Sequence, residues 1–351
     1  MKAILLTAGF GSRLRPLTDV LPKCLLPVNG RPLLEYWFSM LINAGVTSIL
    51  MNLHYLPQIM KEWVELTEYA QDVTMVYEES LLGTGGTLFQ NRDFVGDKPV
   101  MLIHADNLCY TDITAYIDAH NNRPTGAEVT MMTFETSTPK TCGIVEIDSL
   151  GIVQAFHEKV INPPGNLANA AVYIIEPEIM DFLASLNKSF IDFSTGVLPA
   201  YMGKIHTWQN NSYHRDIGNI DSYLAAQIEY LQTAMACDKE NAWSLLCQRN
   251  SDKLSGEIMT ALSSALNAEV INSSELTNHS EQNLTTGNKM IIIHCLDTKN
   301  HLQSLLRYVE IERIERSNVI VFFKKVPFNF SSQKLYGETG LRSLALYSSE
   351  N

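Results

Sequence analysis

The chain has 351 residues, 46% of them hydrophobic and 18% charged, with 38 acidic side chains against 26 basic ones and a formal net charge of −12 at pH 7. That composition is globular and long enough for two domains, and its acidity argues against broad binding to nucleic acid or anionic membranes. No apolar run approaches the ~18–20 residues that span a bilayer, and the six cysteines, at 24, 109, 142, 237, 247 and 295, form no C-x-x-C pair or zinc-ligand cluster, so they read as reduced thiols.

Residues 2–7 read as a first strand, and their apolar run stops at Thr7, ahead of Gly9, Gly11, Arg13 and Arg15. A secretory leader needs roughly 7–15 apolar residues, so a cytoplasmic chain is expected. Helical spacing follows over 33–44, a strand over 48–53, a helix over 58–69, and strands over 73–77 and 99–103. A helix over 113–120 and a strand over 128–134 continue the alternation, which predicts a mainly parallel sheet covered by helices. From Gly143 the pattern changes to short strands at 143–147, 153–156 and 170–175, the signature of an antiparallel insertion. A helix at 177–186, a strand at 205–208 and a helix at 221–231, with Asn219 and Asp221 as caps, complete this part. Helical residues 240–266 and a polar, apolar-poor stretch at 272–288 form a join and linker. Beyond it a strand at 290–295, a helix at 301–315 and a strand at 319–323 predict a small α/β segment ending in a tail. No internal repeat is present.

The charge is uneven: residues 1–233 carry 25 acidic and 14 basic side chains. Against that background Arg13, Arg15 and Lys23 concentrate positive charge directly after the first strand. There Gly9 and Gly11 let the backbone approach a ligand and turn its amides toward phosphate oxygens. The pattern is neither a P-loop, for want of G-K-[S/T], nor a dinucleotide fingerprint, whose third glycine is here Leu14. A bare G-x-G is most often a solvated turn. With Arg13, Pro16, Thr18, Pro22 and Lys23 all in register, the reading moves to phosphate binding.

The run Gly9-Phe10-Gly11-Ser12-Arg13-Leu14-Arg15-Pro16-Leu17-Thr18, with Pro22-Lys23, resembles the G-x-G-x-R-L-x-P-L-T-x-x-x-P-K signature of the sugar-phosphate nucleotidylyltransferases. The resemblance spans residues 1–233. It implies a Rossmann-like nucleotidyltransferase core with an antiparallel sugar-binding insertion; the join and linker at 234–288 and the small α/β segment at 289–351 are read from the pattern of the residues alone. It implies transfer of a nucleotidyl group from an NTP to a sugar 1-phosphate with release of pyrophosphate.

By the same resemblance Leu6, Ala8, Gly9, Gly11, Glu78, Gly83 and Thr84 line the nucleotide, with Glu78 a candidate acceptor for guanine. Arg13 neutralises pyrophosphate and Lys23 draws the two phosphates together. Asp106 and Asp216, the latter in the context Asp216-Ile217-Gly218, hold Mg²⁺. Gly143, Glu158, Lys159 and Asn169 hold the sugar, with Cys142 and Ala171 standing where the family has an aromatic residue and a glycine. His54, His294 and the pair Met131–Met132 read as structural. GTP with mannose 1-phosphate, or a related hexose or heptose, is the favoured pair. A uridylyl- or thymidylyltransferase acting on another sugar phosphate is the alternative, as is a non-catalytic regulatory paralogue that binds sugar nucleotides. Self-association into a homo-oligomer is frequent in such enzymes.

Overall fold

The computed structural model describes residues 1–230, 242–272, 290–295, 309, 315–327 and 331–349. All but residues 309 and 315 of the expected helix over 301–315, and all but residue 272 of the linker at 272–288, lie outside the described residues. Contacts divide the chain into two compact units. The first comprises Met1–Gly9, Tyr36–Pro57 and Gln71–His214, and the second Phe10–Glu35, Gln58–Ala70 and Arg215–Asn351. The stretch Phe10–Glu35 thus groups with the C-terminal part of the chain.

In the first unit Lys2–Leu6 lies in the middle of a nine-stranded sheet. It pairs in parallel with Ile49–Leu53 on one side and Val100–His104 on the other, and Ile49–Leu53 pairs in parallel with Val73–Tyr77. The central strands are apolar on both faces, as helix-covered parallel strands must be; Ile4, Leu50 and Leu102 all sit in the buried core. The expected change of character at Gly143 is present. Gly143–Ile147 and Val153–Glu158 form an antiparallel hairpin, and Leu167–Ile175 runs antiparallel to its neighbours Val100–His104 and Val129–Glu135. The register along Leu167–Ile175 shifts between Asn169 and Tyr173, and Ala171 there has φ 55°. Met131 and Met132 are buried in this sheet, as expected of structural residues.

The second unit holds a parallel sheet in the order Glu269–Asn272, Ile291–Cys295, Val319–Pro327, Arg342–Ser349. The expected tail is therefore a strand, preceded by the helix Ser332–Thr339. The register Phe322↔Leu344 continues the sheet through it. The polar pair Arg342-Ser343 opens this strand, yet the serine is buried and its hydroxyl bonds that of Ser332 at 3.0 Å. The strand Arg342–Ser349 packs against the helices Ile220–Glu229 and Ala242–Arg249 and against Pro27–Val28. The helix Ser251–Leu266 packs against Leu17–Val20, inside the signature stretch. Trp243, fully buried, donates from Nε1 to the Leu346 carbonyl at 2.7 Å.

Candidate active site

Ligands of open α/β sheets bind beyond the carboxyl ends of the parallel strands. In the first unit those ends carry Thr7, Ala8 and Gly9 after Leu6, Asn52 within the second parallel strand, Glu78 after Tyr77, and Ala105-Asp106 after His104. Leu6 registers with both Asn52 and His104, and the Ala105 amide donates to the Leu6 carbonyl, which keeps the strand ends level.

Glu78 is buried. Its Oε1 accepts from Thr87 Oγ1 at 2.6 Å and from Asn52 Nδ2 at 3.0 Å. Its Oε2 lies 3.5 Å from the Leu82 amide, and its carbonyl is 2.8 Å from His54 Nδ1, a structural contact for that histidine. Asn52 is also used at its other end, where Oδ1 accepts from the Thr7 amide at 2.8 Å. One carboxylate thus ties the first strand's exit to the start of the helix Thr84–Gln90 through Asn52 and Thr87. Neither Asn52 nor Thr87 stood out in the sequence, since their roles come from partners in other elements.

The glycine-rich turn before that helix approaches Ile191 closely. The amides of Gly85 and Gly86 donate to the Ile191 carbonyl at 2.8 and 3.1 Å, and Thr84 Oγ1 accepts from the Phe193 amide at 2.7 Å. At Gly83, with φ 77°, a Cβ would meet the Ile191 oxygen at 2.5 Å. A side chain is excluded there on both steric and conformational grounds.

The expected sugar residues come together on three adjacent strands. Gly143 registers opposite Glu158, and a Cβ on it would lie 2.6 Å from the Phe156 ring and 2.7 Å from Glu158 Oε2, so the glycine makes room for both. Lys159 Nζ pairs with Glu158 Oε1 at 3.2 Å. Ala168, beside Asn169, registers with Ile144. Asn169 donates to the Tyr173 hydroxyl at 2.6 Å and accepts from the Ala171 amide at 2.9 Å. Burial pushes the Tyr173 phenol up to about 12. Also in this unit, the half-buried His214 packs on Phe134, ring centroids 4.3 Å apart, and desolvation lowers its pKa to about 3 despite the opposing charge of Asp106. Its imidazole is therefore neutral.

In the second unit the signature loop turns at Gly11, whose carbonyl accepts from Thr18 Oγ1 at 2.9 Å. Lys23 lies in a tight turn over Lys23–Leu25 with its side chain 8% exposed, and its Nζ is 3.3 Å from Asp216 Oδ1. Arg13, on the open side, comes within 4.0 Å of Asp216 Oδ2. Two of the signature cations thus flank one carboxylate that remains 52% exposed. Asp216 closes the strand Tyr213–Asp216, and Asn219 and Ser222 form a reciprocal capping box on the helix Ile220–Glu229 just beyond it.

Residues 2–233 match the family described as nucleotidyl transferase. Two curated relatives are the mannose-1-phosphate guanyltransferases of Schizosaccharomyces pombe, 31% identical over 244 residues, and of Saccharomyces cerevisiae, 28% identical over 239 residues. Each alignment covers 66% of this chain and 65% of the relative, so the chain spans slightly less than two thirds of their length. The fold is also that of HddC from Yersinia pseudotuberculosis, solved with GMP-PN (TM-score 0.56, 22% identity, 64% of this chain and 97% of that one). A UDP-glucose pyrophosphorylase solved with UDP-glucose shares it as well (TM-score 0.55, 20% identity, 64% and 96%). The family match covers both stretches that carry the paired cations and carboxylate, Arg13 to Lys23 and Asp216, and the chain belongs to the nucleotidyl transferase family.

Proposed function

We propose that the chain transfers a nucleotidyl group from an NTP to a sugar 1-phosphate and releases pyrophosphate, with GTP and mannose 1-phosphate, or a related hexose or heptose phosphate, as the favoured pair. The observation that carries this reading is the placement of Arg13 and Lys23 on either side of Asp216. An NTP and a sugar phosphate repel each other strongly, and such a cluster offers cations for phosphate oxygens and a carboxylate for a metal. The choice of GTP rests on the guanyltransferase relatives rather than on Glu78, whose Oε1 is already engaged by Thr87 and Asn52.

In the proposed reaction an oxygen of the sugar phosphate, already ionised near pH 7, attacks the α-phosphorus. The new P–O bond forms as the bond to the β-phosphate breaks, and its electron pair leaves on pyrophosphate. Lys23 holds the two phosphates together and Arg13 neutralises the leaving group. Leu6, Ala8, Gly9, Gly11, Glu78, Gly83 and Thr84 shape the nucleotide side, and Gly143, Glu158, Lys159 and Asn169 the sugar side.

Asp106 and Asp216 are the carboxylates assigned to Mg²⁺. Among the described residues no group of three or more histidines, cysteines or carboxylates is arranged to hold a metal. Asp106 and Asp216 would each offer a hard carboxylate oxygen, the donor type that Mg²⁺ takes. When bound, the metal spreads the charge that develops on the phosphates.

No helix among the described residues is long and apolar enough to cross a membrane, and we place the reaction in the cytoplasm; self-association is read out by size-exclusion chromatography. The test of the reaction is pyrophosphate release with Mg²⁺ across GTP, ATP, CTP, UTP and dTTP against a panel of sugar 1-phosphates. Release with GTP and a manno-configured phosphate is the expected result. Release only with UTP or dTTP overturns the base assignment, and silence from folded protein that binds NTP favours a regulatory paralogue.

A further inference from the structure

Lys23 and Asp216 are 193 positions apart, and their pairing needs something to hold the two segments in register. The helix Ile220–Glu229 begins four residues after Asp216. Four residues after Lys23 begins the turn Pro27–Asn29, part of a hairpin in which Asn29 and Gly30 both have positive φ, 49° and 78°. The helix grips this turn. Gln227, fully buried, donates from Nε2 to the Pro27 carbonyl at 2.9 Å and accepts at Oε1 from the Asn29 amide at 3.0 Å. Tyr223, one helical turn earlier, donates its hydroxyl to the same Pro27 carbonyl at 2.6 Å. Asn29 Nδ2 returns a bond to the Tyr230 carbonyl at 3.4 Å.

A primary amide that pairs with both a carbonyl and an amide two residues apart imitates a neighbouring β-strand. It fixes position and rotation of the segment together, which a single bond or an apolar contact does not. Gln227 contacts no group assigned to substrate, so any effect it has on the reaction passes through the segment it holds.

We propose that Gln227 is a positioning residue: its two-point grip on Pro27 and Asn29, reinforced by Tyr223, sets Lys23 against Asp216 for nucleotidyl transfer. The role in transfer rests on the reaction proposed above, whereas the placement of Lys23 does not. Gln227→Met keeps the length and volume of the side chain and removes both bonds. Tyr223→Phe removes one bond to the same carbonyl.

The test is twofold. Amine acetylation followed by mass spectrometry reads the exposure of Lys23 without any substrate, with the exposed lysines Lys188 and Lys253 as internal controls. In Gln227→Met we expect Lys23 to label about tenfold faster while the controls are unchanged, and kcat to fall about 10- to 100-fold with KM for the NTP within about twofold. Tyr223→Phe moves both in the same direction by less, and it carries the test should Gln227→Met not melt cooperatively. Unchanged Lys23 labelling overturns the proposal, whatever happens to kcat; faster labelling with full kcat overturns the catalytic part. If the unaltered protein releases no pyrophosphate from any pair, the transferase reading fails, and the labelling still decides whether Gln227 places Lys23.

Discussion

The hydroxyl of Thr87 donates to Glu78 Oε1 at 2.6 Å inside the buried edge where the first, second and third parallel strands end. A carboxylate in such a place depends on each of its donors, because a buried acceptor left short of partners retains its desolvation penalty. Thr87→Val, nearly equal in volume, should destabilise the protein by about 1–3 kcal/mol. The midpoint of urea unfolding measures it, and a shift within error would show that the hydroxyl is dispensable to the network.

Asp106→Asn and Asp216→Asn should each lower pyrophosphate release at least a hundredfold, on the order of what losing one preorganised electrostatic group costs. NTP binding, followed by calorimetry, should survive in both. Chelation should abolish turnover of the unaltered protein and Mg²⁺ should restore it. Full activity in either variant would remove that carboxylate from the metal assignment.

Ala171 occupies a left-handed conformation, φ 55°, at the register shift of the strand Leu167–Ile175. Its methyl group is strained there by about 1 kcal/mol. Ala171→Gly should therefore stabilise the fold and raise its melting temperature by about 2–4 °C in scanning calorimetry. A fall in melting temperature would mean that the methyl packs better than its backbone suffers.

Burial pushes the Glu35 carboxyl from its ordinary value near 4.5 up to about 7, with Arg31 opposing. Between those values the folded chain holds a proton that the unfolded chain has released, so this group's contribution to stability falls as pH rises from about 4.5 to 7 and is level above. His120, lowered to about 4 chiefly by burial, acts in the opposite sense over much of the same window. The comparison that isolates Glu35 is Glu35→Gln against the unaltered protein. Their difference in melting temperature should widen in favour of Gln up to pH 7 and then stay constant.

The signature from Gly9 to Lys23 was legible because fifteen positions of one local pattern carry it, and the central strands were legible because they are apolar on both faces. The antiparallel insertion announced itself at Gly143. The strand Arg342–Ser349 did not, since its apolar run is only four residues long between polar ends, and Ser343 finds its partner, Ser332, only in the fold. Gln227 was silent for a related reason: its partners lie 200 and 198 residues away, and nothing in the helix pattern marks a glutamine as a clamp. Glu78 was noticed as a carboxylate near the nucleotide, but which atoms would already be occupied depends on Asn52 and Thr87, in two other elements.

The packing of Arg342–Ser349 against Pro27–Val28 sets an order of events at the ribosome. The strand that completes the surroundings of the segment after Lys23 is made more than 300 residues later than that segment. At ~5–20 residues per second the wait is roughly 15 to 60 seconds. Through that interval the nascent chain carries Arg13 and Lys23, the cations proposed to meet phosphate, on an unfinished support. The pairing of Lys23 with Asp216, which we propose to depend on this support, is thus completed only once Arg342–Ser349 has been made.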